Sequence, residues 1–314
     1  MEPLTRFLIG FMVFIELLLS ACQGSEIEQK ESQIPMKPQD SSILVIAHRG
    51  ARSLAPENTL LAAQKAYDLG ADMWELDVAM TYDNEMVVIH DDTLTRTSNA
   101  AAFFPKMMPW NVRMFTLEEL KKLDFGSWFI EKDPYLTIRD GVVSQEDQAK
   151  MKNITIPTLE EALVLTKNLG WKVNVEIKDL SKTPGDEIVV EKVVGLIEKL
   201  DMVDSVIVSS FKHDYLVQVK KINKNITTAA LVEQGVKDPV ALVRELGAQA
   251  YNPGIDDIGK LSTIQLVRDA GYDVFVWTAN NEPTFKKFID AGVSGIFTDF
   301  PQLLIKYLAN KKQP

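Results

Sequence analysis

Residues 74–91 read WELDVAMTYDNEMVVIHD. Two extended runs lie in this stretch. Residues 74–78 alternate, so Glu75 and Asp77 stand two apart and face the same way from a strand. Residues 86–89 are rich in β-branched side chains and deliver His90 and Asp91 at their end. About seven residues separate the runs, with Asp83 and Asn84 as turn formers. A parallel crossover needs roughly a dozen residues or more, so the two runs are expected to form an antiparallel hairpin. Such a hairpin gathers two carboxylates and an imidazole into one small volume. Two acidic oxygens on one face suit a hard divalent cation, Ca²⁺ or Mg²⁺. Alone, a Glu-x-Asp pair is more often the solvent face of an ordinary strand, so its company has to decide.

The chain has 314 residues, 46% hydrophobic and 25% charged, which is enough for one large domain or two. It carries 34 Lys+Arg against 44 Asp+Glu and no basic run, which disfavours nucleic-acid binding. A single Cys rules out an internal disulfide framework. That Cys follows Arg6, an apolar run over 7–19, and small residues, which is the layout of a secretory signal. The apolar run is too short to span a membrane as a helix. Leu19-Ser20-Ala21-Cys22 resembles the bacterial lipobox. The resemblance implies a lipoprotein signal peptide over 1–21, lipidation of Cys22, and a membrane partner through that anchor. Glu16 interrupts the apolar core and Arg6 is the only basic residue of the leader; a plain cleaved signal with an incidental Cys, or an uncleaved amphipathic anchor, is the alternative. Residues 22–42 are polar and carry Pro35 and Pro38, as a flexible tether would. The expected location is the bacterial cell envelope, lipid-anchored, facing periplasm or exterior.

From residue 43 onward strands and helices alternate. Residues 43–47 are a continuous apolar run, the mark of a strand buried on both faces. Pro56-Glu57-Asn58-Thr59 opens a helix that stops at Gly70. Thr116 and Thr158 are each followed three residues later by Glu, the capping-box spacing. Helices are expected over 184–200 and from a Ser262 cap, and Asp238-Pro239 reads as an N-cap with Pro at the first helical position. Parallel strands start near 43, 73, 172, 205, 227, 249, 273 and 295. That pattern predicts an α/β fold: a closed (β/α)8 TIM barrel over 43–314. It has an extra β-hairpin strand after the second barrel strand and a small inserted subdomain at about 92–157. A doubly wound open sheet is the competing fold, but no G-x-G-x-x-G or Walker loop follows any strand.

Barrel active sites form at the C-terminal ends of the strands. Those ends carry His48 and Arg49, then Glu75 and Asp77, then His90 from the hairpin, Glu176 and Lys178, Ser209 and Ser210, and Trp277. Burying so many charges without a function would cost several kcal/mol per unpaired ion. The set suits metal-assisted cleavage of a phosphodiester. A cation polarises a phosphoryl oxygen. Arg and Lys hold another, as a planar fork and as a point charge. Two imidazoles serve as acid and base. Paired carboxylates alone would fit a glycosidase, but two His with Arg and Lys fit a phosphate better.

His48-Arg49-Gly50 with Pro56-Glu57-Asn58-Thr59, Glu75-x-Asp77, His90-Asp91-x-x-Leu94-x-Arg96-Thr97 and Glu176-Ile177-Lys178 resemble the glycerophosphodiester phosphodiesterase family. The resemblance covers about 43 to 310 and implies a barrel with a small insertion. It implies Glu75, Asp77 and Glu176 as ligands of one divalent cation, His48 and His90 as the acid/base pair, and Arg49 and Lys178 as phosphate contacts. The implied activity is hydrolysis of small glycerophosphodiesters, the deacylated head groups of phospholipids, to glycerol 3-phosphate and an alcohol. The resemblance also implies a cyclic phosphate on the way. Ser98 stands where Thr is common, a minor departure. The insertion is where substrate choice would lie, and Trp277 would shape the pocket or simply pack. Competing readings are a lysophospholipase D-type or teichoic-acid-like phosphodiesterase, or a surface lipoprotein with mainly a binding role.

Overall fold

A computed structural model describes residues 43–311. The expected signal peptide, lipidated Cys22 and tether lie outside the described residues. The chain opens with β1 (Leu44–Ala47), α1 (Leu60–Leu69), β2 (Met73–Met80) and β3 (Met86–Val88). The insertion follows, with short helices α2 (Ala100–Phe103), α3 (Leu117–Leu120), α4 (Ser127–Lys132) and α5 (Gln145–Lys150). Then come α6 (Leu159–Asn168), β4 (Lys172–Ile177), α7 (Val189–Lys199), β5 (Val206–Ser210), α8 (His213–Ile222) and β6 (Thr227–Val232). The chain closes with α9 (Pro239–Leu246), β7 (Ala250–Pro253), α10 (Ser262–Asp269), β8 (Asp273–Val276), α11 (Glu282–Asp290), β9 (Gly295–Thr298) and α12 (Pro301–Lys311).

The sheet runs β1-β9-β8-β7-β6-β5-β4-β2, and β2 pairs back on β1, so eight parallel strands close into a barrel. The open-sheet alternative is excluded by that closure. β3 lies outside the barrel, antiparallel to β2, with Val78 opposite Val88 and Met80 opposite Met86. The expected hairpin is therefore present, and its return strand carries His90 back to the barrel mouth. Parallel strands are covered on both faces, which is why their sequences read as near-continuous apolar runs.

Helix ends follow local chemistry. Thr59 caps α1 by accepting the Ala62 N–H at 3.1 Å, and Gly70 ends it in the left-handed conformation. Thr116 and Thr158 both form complete capping boxes, with Glu119 and Glu161 reaching back to their backbone N–H groups. Two expected helix starts differ. α7 begins at Val189 rather than 184, because Thr183 accepts the Gly185 N–H at 3.2 Å and holds a turn there. Ser262 lies inside α10 and its N-cap Leu261 makes no side-chain bond.

The barrel interior below the mouth is filled by Ile46, Met73, Ala229, Ala250, Phe275 and Phe297. It is a packed core, not a pore. Outward-facing residues such as Leu76, Val78, Val175 and Val208 pack against the helices. Each such side chain contributes about 1.5–3 kcal/mol on full burial. The insertion has a smaller cluster of its own, with Leu94, Phe115, Leu120 and Phe125 set against the outer hairpin residues Ala79, Val87 and Ile89. No helix among the described residues is long and apolar enough to cross a membrane.

Candidate active site

Strand register places the acidic residues. Glu75 pairs with Asn174 and Asp77 with Glu176 across β2 and β4, and Glu176 pairs with Ser209 on β5. A period of two sends all of these into the barrel. Glu75, Asp77 and Glu176 each offer a carboxylate oxygen within 4.8 Å of the others, and all three are buried. They form the one such acidic triad among the described residues.

Each carboxylate is only partly satisfied by the protein. Glu75 Oε2 accepts the Arg49 backbone N–H at 2.7 Å, while Oε1 is buried with no donor among the described residues. Asp77 accepts the Asn58 amide at 2.8 Å, and Arg49 Nε lies 3.3 Å from it. Lys178 donates to Glu176 at 2.8 Å and stands 3.6 Å from Asp77. Burial and the neighbouring charges of Asp77 and Glu176 push Glu75 well above the usual carboxylate range. Burial and Asp77 push Glu176 the same way. Burial would raise Asp77 too, but Arg49 and Lys178 hold it below its ordinary value. Three hard oxygen donors with surplus negative charge and a donorless buried oxygen fit a divalent cation.

The turn after β1 brings the first imidazole. Arg49 and Gly50 adopt positive φ of 55° and 81°. Asn58 also has positive φ and donates its backbone N–H to the Arg49 carbonyl at 3.0 Å, tying the two halves of the loop. His48 points its Nδ1 at Asp299 at 2.7 Å, and Asn280 donates to the other oxygen of Asp299 at 2.8 Å. The pairing fixes His48 as the Nδ1–H tautomer, with Nε2 left as the basic nitrogen. Burial, with the Arg49 guanidinium next to it, lowers His48 from 6.5 to about 4, although Asp299 pulls the other way. His90 points its Nδ1 at Asp91 at 2.8 Å and is more exposed than His48.

The structure thus brings His48, Arg49, Glu75, Asp77, His90, Glu176 and Lys178 to one end of the barrel. Trp277 follows β8; its indole donates to the Asn252 carbonyl at 2.9 Å and its ring meets Phe211 edge-on at 5.5 Å. Ser209 accepts from Asn174 at 2.8 Å and Ser210 donates to the Ile177 carbonyl at 2.7 Å, so both hydroxyls are engaged with the barrel itself. His213, at the start of α8, pairs its Nε2 with the Leu231 carbonyl at 2.9 Å.

Sequence reasoning missed several polar residues of this region. Glu57, Arg52, Asp91, Arg96, Asn280 and Asp299 all join the network. Asp91 and Arg96 stood in a quoted motif without a role, and Asp299 directly follows the last strand, a position that could have drawn notice. Tyr135 also had no signal. It comes from the insertion, and Arg52 lies over its ring at 5.7 Å.

Known proteins share this architecture and sequence. The family model described as the glycerophosphoryl diester phosphodiesterase family matches residues 48–303. A glycerophosphodiester phosphodiesterase of Caldanaerobacter subterraneus subsp. tengcongensis is 36% identical over 263 residues, 83% of this chain and 96% of that protein. One of Bacillus subtilis is 33% identical over 275 residues, 84% of this chain and 86% of that protein. A phosphodiesterase of Oleispira antarctica, solved in complex with the product sn-glycerol-3-phosphate, aligns with a TM-score of 0.69 at 25% identity, covering 85% of this chain and 96% of that one. A family match over residues 48–303, with relatives this similar over most of their length, means that the chain belongs to the glycerophosphoryl diester phosphodiesterase family.

Proposed function

We propose that this protein hydrolyses glycerophosphodiesters to glycerol 3-phosphate and an alcohol, using a divalent cation held by Glu75, Asp77 and Glu176. The observation that carries the reading is the buried triad with its donorless Glu75 Oε1, set between two carboxylate-paired imidazoles. The cation, Ca²⁺ or Mg²⁺, supplies Lewis-acid stabilisation of charge on the phosphoryl oxygens. Arg49 and Lys178 offer guanidinium and ammonium hydrogen bonds to those same oxygens. His48, held neutral by burial, takes the proton of the substrate's glycerol 2-hydroxyl through Nε2. The hydroxyl oxygen bonds to phosphorus, the bond to the leaving alcohol breaks, and His90 gives that alcohol its proton. Asp91 faces His90 Nδ1 and counters the charge of the protonated ring. Water then opens the cyclic phosphate with the two imidazoles in exchanged roles. Trp277, after β8, and Phe211, after β5, meet edge-on and suit the glycerol or alcohol group.

We further propose that the enzyme works outside the cytoplasm, anchored through a lipidated Cys22, on the strength of Leu19-Ser20-Ala21-Cys22. Loss of membrane association in a Cys22→Ser variant would support that placement; unchanged association would refute it. The activity is tested by release of glycerol 3-phosphate from glycerophosphocholine with Ca²⁺, with Mg²⁺ and with chelator. Release that needs the cation and disappears in Glu75→Ala and His90→Ala is expected. A folded protein that releases nothing from this substrate or from lysolipid and polymeric phosphodiesters overturns the reading.

A further inference from the structure

Behind the reacting groups lies one carboxylate with three arginines on it. Glu57 is nearly fully buried, with a side chain 3% exposed. Its Oε1 accepts from Arg49 at 2.9 Å and from Arg96 at 2.7 Å. Its Oε2 accepts from Arg52 at 2.6 Å and from Arg96 at 2.8 Å. Each arginine then reaches a different aspartate. Arg49 lies 3.3 Å from Asp77, a member of the acidic triad. Arg52 lies 3.5 Å from Asp299, which holds His48 at 2.7 Å. Arg96 grips both oxygens of Asp91, at 2.7 and 2.9 Å, and Asp91 holds His90 at 2.8 Å.

We infer that Glu57 is the shared positioning residue of this site: through three Glu–Arg–Asp arms it sets both imidazoles relative to the acidic triad. Nothing else observed here requires three guanidiniums on a single buried carboxylate. A planar guanidinium can bridge two carboxylates in fixed geometry, which an ammonium cannot. The Arg96 arm is the most rigid, with two bonds at each end. Glu57, Asp91 and Asp299 sit on loops that follow β1, β3 and β9, so the Arg96 and Arg52 arms brace those loops against one another, while the Arg49 arm ties the first loop to Asp77 within β2. Misplacing a catalytic group by about an ångström can cost on the order of a hundredfold in rate. The inference rests on the hydrolase reading for its kinetic test, but not for its spectroscopic one.

The test compares Arg96→Gln, Glu57→Gln and the double variant with the parent, full chain in each case. Arg96 touches none of the triad residues, so cation binding is spared in that variant. Turnover of Arg96→Gln is expected to fall about 10- to 100-fold with KM nearly unchanged, as for loss of an orienting partner. Glu57→Gln should lose more, and the double variant should lose no more than Glu57→Gln, because Arg96 works through one of the three arms that Glu57 anchors. The chain has three histidines, so imidazole ¹⁵N spectra are simple. Recorded in alkaline solution, where the rings are neutral, His48 and His90 should show the Nδ1–H tautomer and His213 the Nε2–H tautomer. Arg96→Gln should shift His90 toward a tautomer mixture and leave His48 and His213 unmoved. Turnover within about twofold of the parent, or lost turnover with His90 nitrogens unmoved, overturns the inference. If Glu57→Gln does not fold, Arg96→Gln alone decides. If the parent hydrolyses nothing, the hydrolase reading fails, and the nitrogen spectra still decide the arm.

Discussion

Glu75 shows how one residue can be a liability until its partner arrives. Its carboxylate is 2% exposed, receives one backbone N–H, and faces two further carboxylates. Burial and like charge raise its proton affinity in the folded state. The sign follows from linkage. Between the unfolded value near 4.3 and the raised folded value, the folded chain holds a proton that the unfolded chain has lost. Stability from this group therefore falls as pH rises through that window. A bound cation replaces the proton and removes the penalty. At about 100 times its Kd a cation adds roughly 2.7 kcal/mol, or about 5 °C in Tm for a chain of this size. We expect that rise on adding Ca²⁺ or Mg²⁺ after chelator treatment. In Glu75→Gln the melting temperature in chelator should equal or exceed that of the parent, since a repelling charge is gone, and the response to cation should vanish. An undiminished response in Glu75→Gln, read by calorimetry, would place the cation elsewhere.

Among the elements, the turn between β1 and α1 is under the tightest constraint. A Cβ on Gly50 would lie 2.6 Å from the Ala62 carbonyl carbon, and φ there is 81°. Gly50 lets the strand end lie directly on the helix, with the Ala51 N–H bonded to the Ala62 carbonyl at 2.9 Å. Gly70 has a similar φ of 89° but open space around its Cβ position. Gly70→Ala should therefore cost only the left-handed backbone term, about 1–2 kcal/mol. Gly50→Ala adds a backbone clash of about 1–3 kcal/mol more and should lower turnover by shifting His48 and Arg49. Urea unfolding and kinetics on the two variants measure the difference; equal costs would mean that the turn packs more loosely than these distances say. This turn also marks the boundary of what could be read in advance. The barrel, the hairpin, both capping boxes and the inward Glu75, Asp77 and Glu176 were legible because they rest on period-two alternation and spacings of three residues. Asp299, 251 residues from its partner His48, was not, because its role exists only once the barrel closes β9 against β1. Tyr135 was hidden for the same reason: only folding of the insertion carries it back over Arg52.

At the scale of the whole molecule, the two sets of carboxylates around the site act on stability with opposite sign. Burial alone would raise all of them. Bonds from Arg96, with Arg52 and Arg49, hold Glu57 below the usual range, and bonds from His90 and Arg96 do the same for Asp91. Asp299, bonded to His48, is held at about 2. These three contribute stability that is complete above their unfolded values and is lost as pH falls toward the folded ones; Asp299 alone accounts for about 2 kcal/mol. Glu75 and Glu176 run the other way, since their folded values are raised. In chelator the two carboxylate sets oppose each other above about pH 4, while His48, lowered to about 4, adds stability between there and its unfolded value near 6.5; stability should climb steeply from about pH 2 to about pH 4 and only slowly, if at all, from there toward neutrality. With saturating Ca²⁺ or Mg²⁺ the second set is neutralised, and stability should keep rising until the triad is fully deprotonated. The two curves should coincide in acid, where protons exclude the cation, and separate steadily above about pH 4. Urea midpoints measured across this range, with and without cation, give the comparison. Parallel curves would mean that the cation does not titrate against the triad, and the division between an arginine-braced set and a cation-dependent set would fall.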